Sequence, residues 1–302
     1  MKAFVLTGYG DIGKLEFRDV PDPKAEPGAI VVRMAGSSIN PIDWKMRSGV
    51  AKERFPVQFP GILGRDASGE VIELGAGVDA FAVGDKVLGL AWQTYAERVA
   101  APVEAWTKLP AGLDVVDAGA LPLILLTGAQ LAEEAVRPAR GDVVLVTGAV
   151  GSVGRAALFG ARAAGATVWA GVRRSQVAEA KTLGASGVVA LDDEASWNGV
   201  PRFDAIADTV GGETVKKLYD RLKPGGVIGS VLGEPAGARE RGFTVRAFTA
   251  HPSPATLSKY ATAVAKGELV VPIAKRFPLA RADEAQAFAE KGKPAGKVVL
   301  VG

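Results

Sequence analysis

The chain has no cysteine and a single histidine, His251, among 302 residues. Without thiols there is no disulfide, no cysteine nucleophile and no zinc site of the Cys type, and with a single imidazole a His-paired triad is not expected. His251 lies in Ala-His-Pro-Ser-Pro and reads as a solvated loop or cap residue with no function assigned. Long apolar runs are missing too. The longest, such as Ala118 to Leu126, are broken by Gly and Pro and fall short of the ~18 residues a membrane span needs, so no span is expected. The opening Met-Lys-Ala-Phe-Val-Leu-Thr-Gly is too short for a signal segment and reads as a first strand, which predicts a cytoplasmic protein. Charge of one sign is scarce: 36 basic residues face 33 acidic ones, dispersed along the chain. Such a balance argues against nucleic acid as partner and for a small anionic molecule.

What the chain does have is glycine, 38 copies, roughly twice the usual share, set between short apolar runs without a collagen period. Up to about residue 105, short strands alternate with turns: Ala3–Leu6, Ala29–Met34, Ala67–Glu73, Lys86–Leu88 and Tyr95–Ala100. From about Asp117 the period changes. Ala118–Ala135 has helical potential; then come strands at Asp142–Thr147, Thr167–Val172, Gly187–Leu191, Ala205–Thr209 and Val227–Val231, with helices at Val153–Ala164 and Gln176–Leu183. This alternation predicts a doubly wound parallel sheet. The last fifty or so residues, with a helix near Thr256–Lys266 and a strand at Lys297–Val301, are too few to fold alone and are expected to complete the first domain. The boundaries read as 1–116, 117–249 and 250–302, an α/β domain inserted into a mostly-β one.

The strongest local signal is Val-Leu-Val-Thr-Gly-Ala-Val-Gly-Ser-Val-Gly, residues 144–154. Gly151 and Gly154 take the last two positions of the dinucleotide fingerprint, with Ala149 at the first and Gly148 just before it. Gly151 lets backbone N–H groups approach a pyrophosphate, and Gly154 lets the helix lie close to its strand. The turn follows a buried strand and opens a helix, which is the context the fingerprint requires. At the end of the next strand, where an NAD enzyme carries an acid for the ribose hydroxyls, the chain reads Arg173-Arg174-Ser175. Two guanidiniums and a hydroxyl suit a 2′-phosphate, so NADPH is the expected cofactor.

Further motifs follow in order. Asn40-Pro41-Ile42-Asp43-Trp44-Lys45 resembles N-P-x-D-x-K; Pro60 to Val71 resembles P-x-x-x-G-x-D-x-x-G-x-V; Phe81 to Val87 resembles F-x-x-G-D-x-V. Tyr95-Ala96-Glu97, Leu126-Thr127-Gly128-Ala129, Asp208 to Gly212 and Gly296 to Leu300 complete the set. Together they resemble the zinc-free quinone oxidoreductase branch of the medium-chain dehydrogenase/reductase superfamily, over nearly the whole chain. The resemblance implies a GroES-like catalytic domain holding an inserted Rossmann domain, a homodimer, and hydride transfer from NADPH to a quinone or an α,β-unsaturated carbonyl. Where zinc-dependent relatives carry G-H-E, this chain has Gly64-Arg65-Asp66, so no metal is expected. Two departures stand out: Gly128 replaces a usual Ala, and the loop from Gly233 to Gly242 has no matching pattern.

Hydride transfer needs a positioned acceptor and stabilised charge on its oxygen, with no protein nucleophile. Lys45 and Asn40 are the catalytic candidates and Trp44 a candidate for the acceptor site; a surface pairing of Lys45 with Asp43 is the alternative. Asp66 reads as an organiser of its loop. The cofactor candidates are Thr127, Gly148, Val150, Gly151, Ser152, Val153, Gly154, Arg173, Arg174, Ser175, Thr209, Val210, Leu232, Gly233 and Lys297. An enoyl-thioester reductase and a non-catalytic NADPH sensor remain alternatives that the same fingerprint permits.

Overall fold

Strand Ala29–Ile39 is buried along most of its eleven residues because it is paired on both edges. Lys297–Val301 runs antiparallel along one side, and Asp66–Leu74 and Arg98–Pro102 pair with it elsewhere. In the computed structural model, which describes residues 1–292 and 294–302, the seven-stranded sheet runs Ile273–Pro278, Lys297–Val301, Ala29–Ile39, Asp66–Leu74, Lys86–Leu90, Trp106–Lys108, with Arg98–Pro102 branching from Ala29–Ile39. A smaller sheet joins Leu15–Asp19, Lys2–Leu6 and Gly61–Ile62. Between them lies a core that includes Leu6, Ile30, Val32, Leu63, Val71, Tyr95, Trp106 and Leu300. These elements form one unit, Met1–Leu123 with Pro252–Gly302.

The second unit, Ile124–His251, is α/β. Its six parallel strands lie in the order third, second, first, fourth, fifth, sixth: Gly187–Ala190, Thr167–Val172, Val143–Thr147, Phe203–Asp208, Leu222–Ser230, Thr244–Ala247. That is the doubly wound dinucleotide-binding order, with the reversal of winding at the first strand. Val144, Leu145 and Val146 are fully buried there, which accounts for the unbroken apolar run in the sequence. The fold is therefore a Rossmann sheet inserted into a GroES-like, mostly-β unit.

Some elements differ from their sequence reading. Residues 117–123 pack in the first unit. The helical stretch Ala118–Ala135 divides into Val115–Ala118, Pro122–Gln130 and a wider turn Leu131–Val136 closed by Arg137 at φ +53°. Pro122 opens the middle helix, where its missing N–H leaves no bond unmade. Tyr95 precedes its strand, which begins at Arg98, and Gln176–Leu183 is a series of short turns. Helix Ala282–Gly292 and strands Leu15–Asp19 and Ile273–Pro278 carry weak patterns and were not legible. Among the described residues no helix is long and apolar enough to cross a membrane.

Candidate functional site

In the α/β unit the first strand ends at Thr147 and turns through Gly148, at φ +63°, into helix Ser152–Ala163. A Cβ on Gly154 would sit 2.2 Å from the Gly148 carbonyl oxygen, so only glycine allows the helix this close to its strand. Gly128 is explained in the same way: its Cβ would lie 2.4 Å from that of Ala156 and 2.6 Å from the Val153 oxygen. The Gly151 N-cap provides no side-chain bond to the helix, leaving first-turn N–H groups at Ser152 and Val153 available to an anion. Val150, Ser152 and Val153 are half-buried and Gly151 is exposed.

Asp208 organises the neighbouring strand ends, a part the sequence reading missed. Fully buried, it accepts bonds from Thr147 Oγ1 at 2.9 Å, from the N–H groups of Val210 and Gly211, and from Ser230 Oγ at 3.1 Å. Thr209 is held to Thr147 through both its N–H and its hydroxyl, 2.9 and 2.7 Å. The result brings Thr209 and Val210 against Gly148, and Leu232 N–H onto Ser230 Oγ. Val210 and Leu232 are large apolar residues left 43% and 49% exposed at this edge, where open α/β sheets receive ligands. Gly233 follows at φ +99°. The unmatched Gly233–Gly242 loop folds onto its own unit: Arg239 pairs with Glu234 at 2.8 Å, Tyr219 donates to the Ala236 carbonyl, and Ala238 is buried. Thr127 is half-buried on helix Pro122–Gln130.

Arg173, Arg174 and Ser175 are exposed at the end of the adjacent strand Thr167–Val172. The two guanidiniums are not equivalent. Arg174 lies 3.1 Å from Asp193, and its N–H donates to Asp192. Arg173 makes no ion pair among the described residues. Gly148, Gly151 and the strand-end arginines are thus carried on neighbouring parallel strands, and the cradle fits a dinucleotide.

In the mostly-β unit a second cluster is buried. Asp66 receives Ser38 Oγ at 2.6 Å, Asn40 Nδ2 at 2.7 Å and the Leu123 N–H at 2.6 Å. Lys297 Nζ donates to Asn40 Oδ1 at 2.6 Å and the Ile39 carbonyl at 3.1 Å, 3.8 Å from Asp66. Asn40 is 2% exposed and its amide is engaged at both ends. It joins Lys297 to Asp66. Lys297, 6% exposed, is the buried cation of this cluster.

Asp43 closes helix Pro41–Arg47 onto the cluster. Its Oδ2 accepts the Asn40 N–H at 2.7 Å and the Tyr95 hydroxyl at 2.8 Å, while Oδ1 has no partner. Burial, with the Asp66 charge adding to it, pushes the carboxyl up to about 7 against the opposing pull of Asn40, Tyr95 and Lys297. The Tyr95 phenol is raised by burial and by the Asp43 charge, and remains a donor. Arg47, on the same helix, binds Gln286, Glu290 and the Gly10 carbonyl. Lys45, half-buried on the same helix, has no ion pair among the described residues. Its proposed surface partner Asp43 is buried and faces Tyr95, as expected for residues two apart on a helix. Trp44 is half-buried against the core. Among the described residues no group of three or more His, Cys, Asp or Glu side chains is placed to hold a metal.

The Asp43 shift has a sign that can be measured. A carboxyl raised above its unfolded value of 3.8 contributes stability that is full below that value and is lost as pH rises through about 7. Asp43→Asn keeps the shape of the protonated acid. In urea unfolding the variant is expected to match the parent at pH 4 and to exceed it at pH 8; parallel stabilities across that range would show that Asp43 does not titrate within the fold.

The family description "Alcohol dehydrogenase GroES-like domain" matches residues 26–116, and "Zinc-binding dehydrogenase" matches residues 183–300. The chain is similar to a chloroplast envelope quinone oxidoreductase homolog of Arabidopsis thaliana, 28% identical over 99% of this chain and 98% of that protein. It is similar to a mitochondrial NAD(P)H oxidoreductase of Bos taurus, 29% identical over 99% of this chain and 89% of that one. The solved quinone oxidoreductase of Coxiella burnetii superposes with a TM-score of 0.88 at 31% identity, covering 100% of this chain and 99% of the other. The chain belongs to the medium-chain dehydrogenase/reductase superfamily, among its quinone oxidoreductases.

Proposed function

We propose that this oxidoreductase takes NADPH and passes hydride to a quinone or an α,β-unsaturated carbonyl, as a cytoplasmic homodimer. The observation that carries the cofactor reading is the uncapped N-terminus of helix Ser152–Ala163, held against its strand by Gly154, with Arg173 and Arg174 on the next strand end. The N–H groups of Ser152 and Val153 would hold the pyrophosphate. Thr209, Val210, Leu232 and Gly233 would line the nicotinamide side, with Thr127 as a further donor. Bound there, the nicotinamide supplies the hydride. The protein's part is to orient the acceptor and to offer a cation, Lys45, to the oxygen that gains charge.

Arg173 has no competing carboxylate, so it is the stronger anchor of the 2′-phosphate. Each charge-assisted contact is worth about 1.5–3 kcal/mol. Arg173→Ala is expected to weaken NADPH about tenfold or more, Arg174→Ala less because Asp193 already holds that side chain, and neither changes NADH. Titration calorimetry checks this; equal affinity of the parent for both cofactors removes the assignment. NADPH oxidation with a quinone, a short enone and an enoyl thioester then selects the acceptor class, and silence with all three points to a sensor.

A further inference from the structure

Arg65 has no place in the scheme so far. Its side chain is 6% exposed, its Nε donates to the Ala91 carbonyl at 3.2 Å, and its Cζ lies 3.6 Å from the centre of the Trp92 ring. Stack and hydrogen bond together fix the plane of the guanidinium. No carboxylate among the described residues reaches ion-pair distance. Asp66 is taken up by Ser38, Asn40 and Leu123, and Asp43 by Asn40 and Tyr95, so both act on Arg65 only through space. The terminal nitrogens have no hydrogen-bond acceptor in the described chain. They are not among the buried polar atoms without a partner, which among the described residues are Asp43 Oδ1, Trp106 Nε1 and Gln286 Nε2, so water reaches them.

An immobilised fork whose N–H groups reach solvent and have no protein acceptor is preorganised to donate to an anion. The surface beside it is aromatic: Trp92 is 46% exposed, and Phe55 approaches it at 6.2 Å. The sheet register explains the grouping. Asp66 pairs with Leu90 and Ala67 with Ser37, so the chain just before Asp66, the turn after Leu90 and the Lys45 helix after Ile39 leave the same end of the sheet.

We propose that Arg65 and Trp92 form an anchoring subsite for the acceptor, the guanidinium fork taking a carboxylate or second carbonyl oxygen carried on a planar conjugated ring. The assignment rests on the quinone or enone reading above, and it gives Arg65 a role in specificity, distinct from that of Lys45 at the reacting oxygen. The test uses the whole protein without cofactor, with benzoate and its neutral isostere benzamide as probes, read by tryptophan fluorescence and calorimetry. Benzoate is expected to bind at least about tenfold tighter than benzamide. Arg65→Met removes that preference and Arg65→Lys restores only part of it, because an ammonium lacks the planar fork. In turnover, Arg65→Met raises KM for a quinone carboxylate while kcat is kept, the signature of lost uniform binding. Equal or absent binding of the two probes by the parent, or an undiminished preference in Arg65→Met, overturns the proposal. The parent's benzoate-to-benzamide ratio decides even if the variant does not fold. If benzoate binds through Arg65 while NADPH reduces no quinone, the reductase reading fails and the subsite stands.

Discussion

Lys45→Met is expected to lower kcat by about 10²–10³ while leaving NADPH affinity intact, the loss typical of removing a principal donor to a developing oxyanion. The expectation follows from how its helix is held. Asp43 is locked to Asn40 and Tyr95, Arg47 to Gln286 and Glu290, and Lys45 is the charged residue between them with no ion pair among the described residues. A short helix fixed at both neighbouring positions presents the amine with little freedom to lose on binding. Stopped-flow turnover with a quinone, alongside NADPH binding, separates the roles. A weakened Kd for NADPH at unchanged kcat would move Lys45 to the cofactor ribose, and no change in either would make it a solvated surface residue.

The second large effect is on stability. Lys297→Met leaves Asp66 fully buried without its cation and removes the donor to Asn40 Oδ1. Stripping one partner from a buried ion pair costs on the order of 3–5 kcal/mol, more than the pair itself is worth, because the remaining charge is uncompensated. Urea unfolding should show a loss of that size. Adding Asp66→Asn to Lys297→Met should return part of it, since the stranded charge is then gone. A loss below about 1 kcal/mol in the single variant would mean that Asp66 is held by its three hydrogen bonds alone.

The architecture was legible because both signals that define it are periodic. The apolar run at residues 143–147 and its glycine turn mark a doubly buried strand and the helix behind it, and the paired arginines follow at the next strand end. The buried polar cluster was legible only as motif residues. Nothing local tells that Lys297 reaches Asn40, 257 positions away, or that Tyr95 and Gln286 belong with Asp43 and Arg47. The partners of Asn40 were hidden for that reason: an amide looks like a free donor until its neighbours in space are known. Lys45 against Asp43 could have been judged earlier, since positions two apart on a helix do not face each other. Asp193 lies nineteen residues from Arg174, and its bearing on cofactor choice appears only when neighbouring strands are laid side by side.

The span between Asn40 and Lys297 also has a consequence for biosynthesis. With chain growth at about 5–20 residues per second, the 257 positions separating them take on the order of tens of seconds to be made. During that interval Asp66 and Asn40 are already present while their cation does not yet exist, and the whole parallel-sheet unit is being synthesised. The polar cluster therefore cannot form as a local nucleus on the nascent chain; it is a late closure, in which the last strand, Lys297–Val301, enters beside Ala29–Ile39 and brings the missing charge with it. Until then the first unit carries an open strand edge at Gly36–Ile39, the kind of unpaired backbone on which other chains can pair.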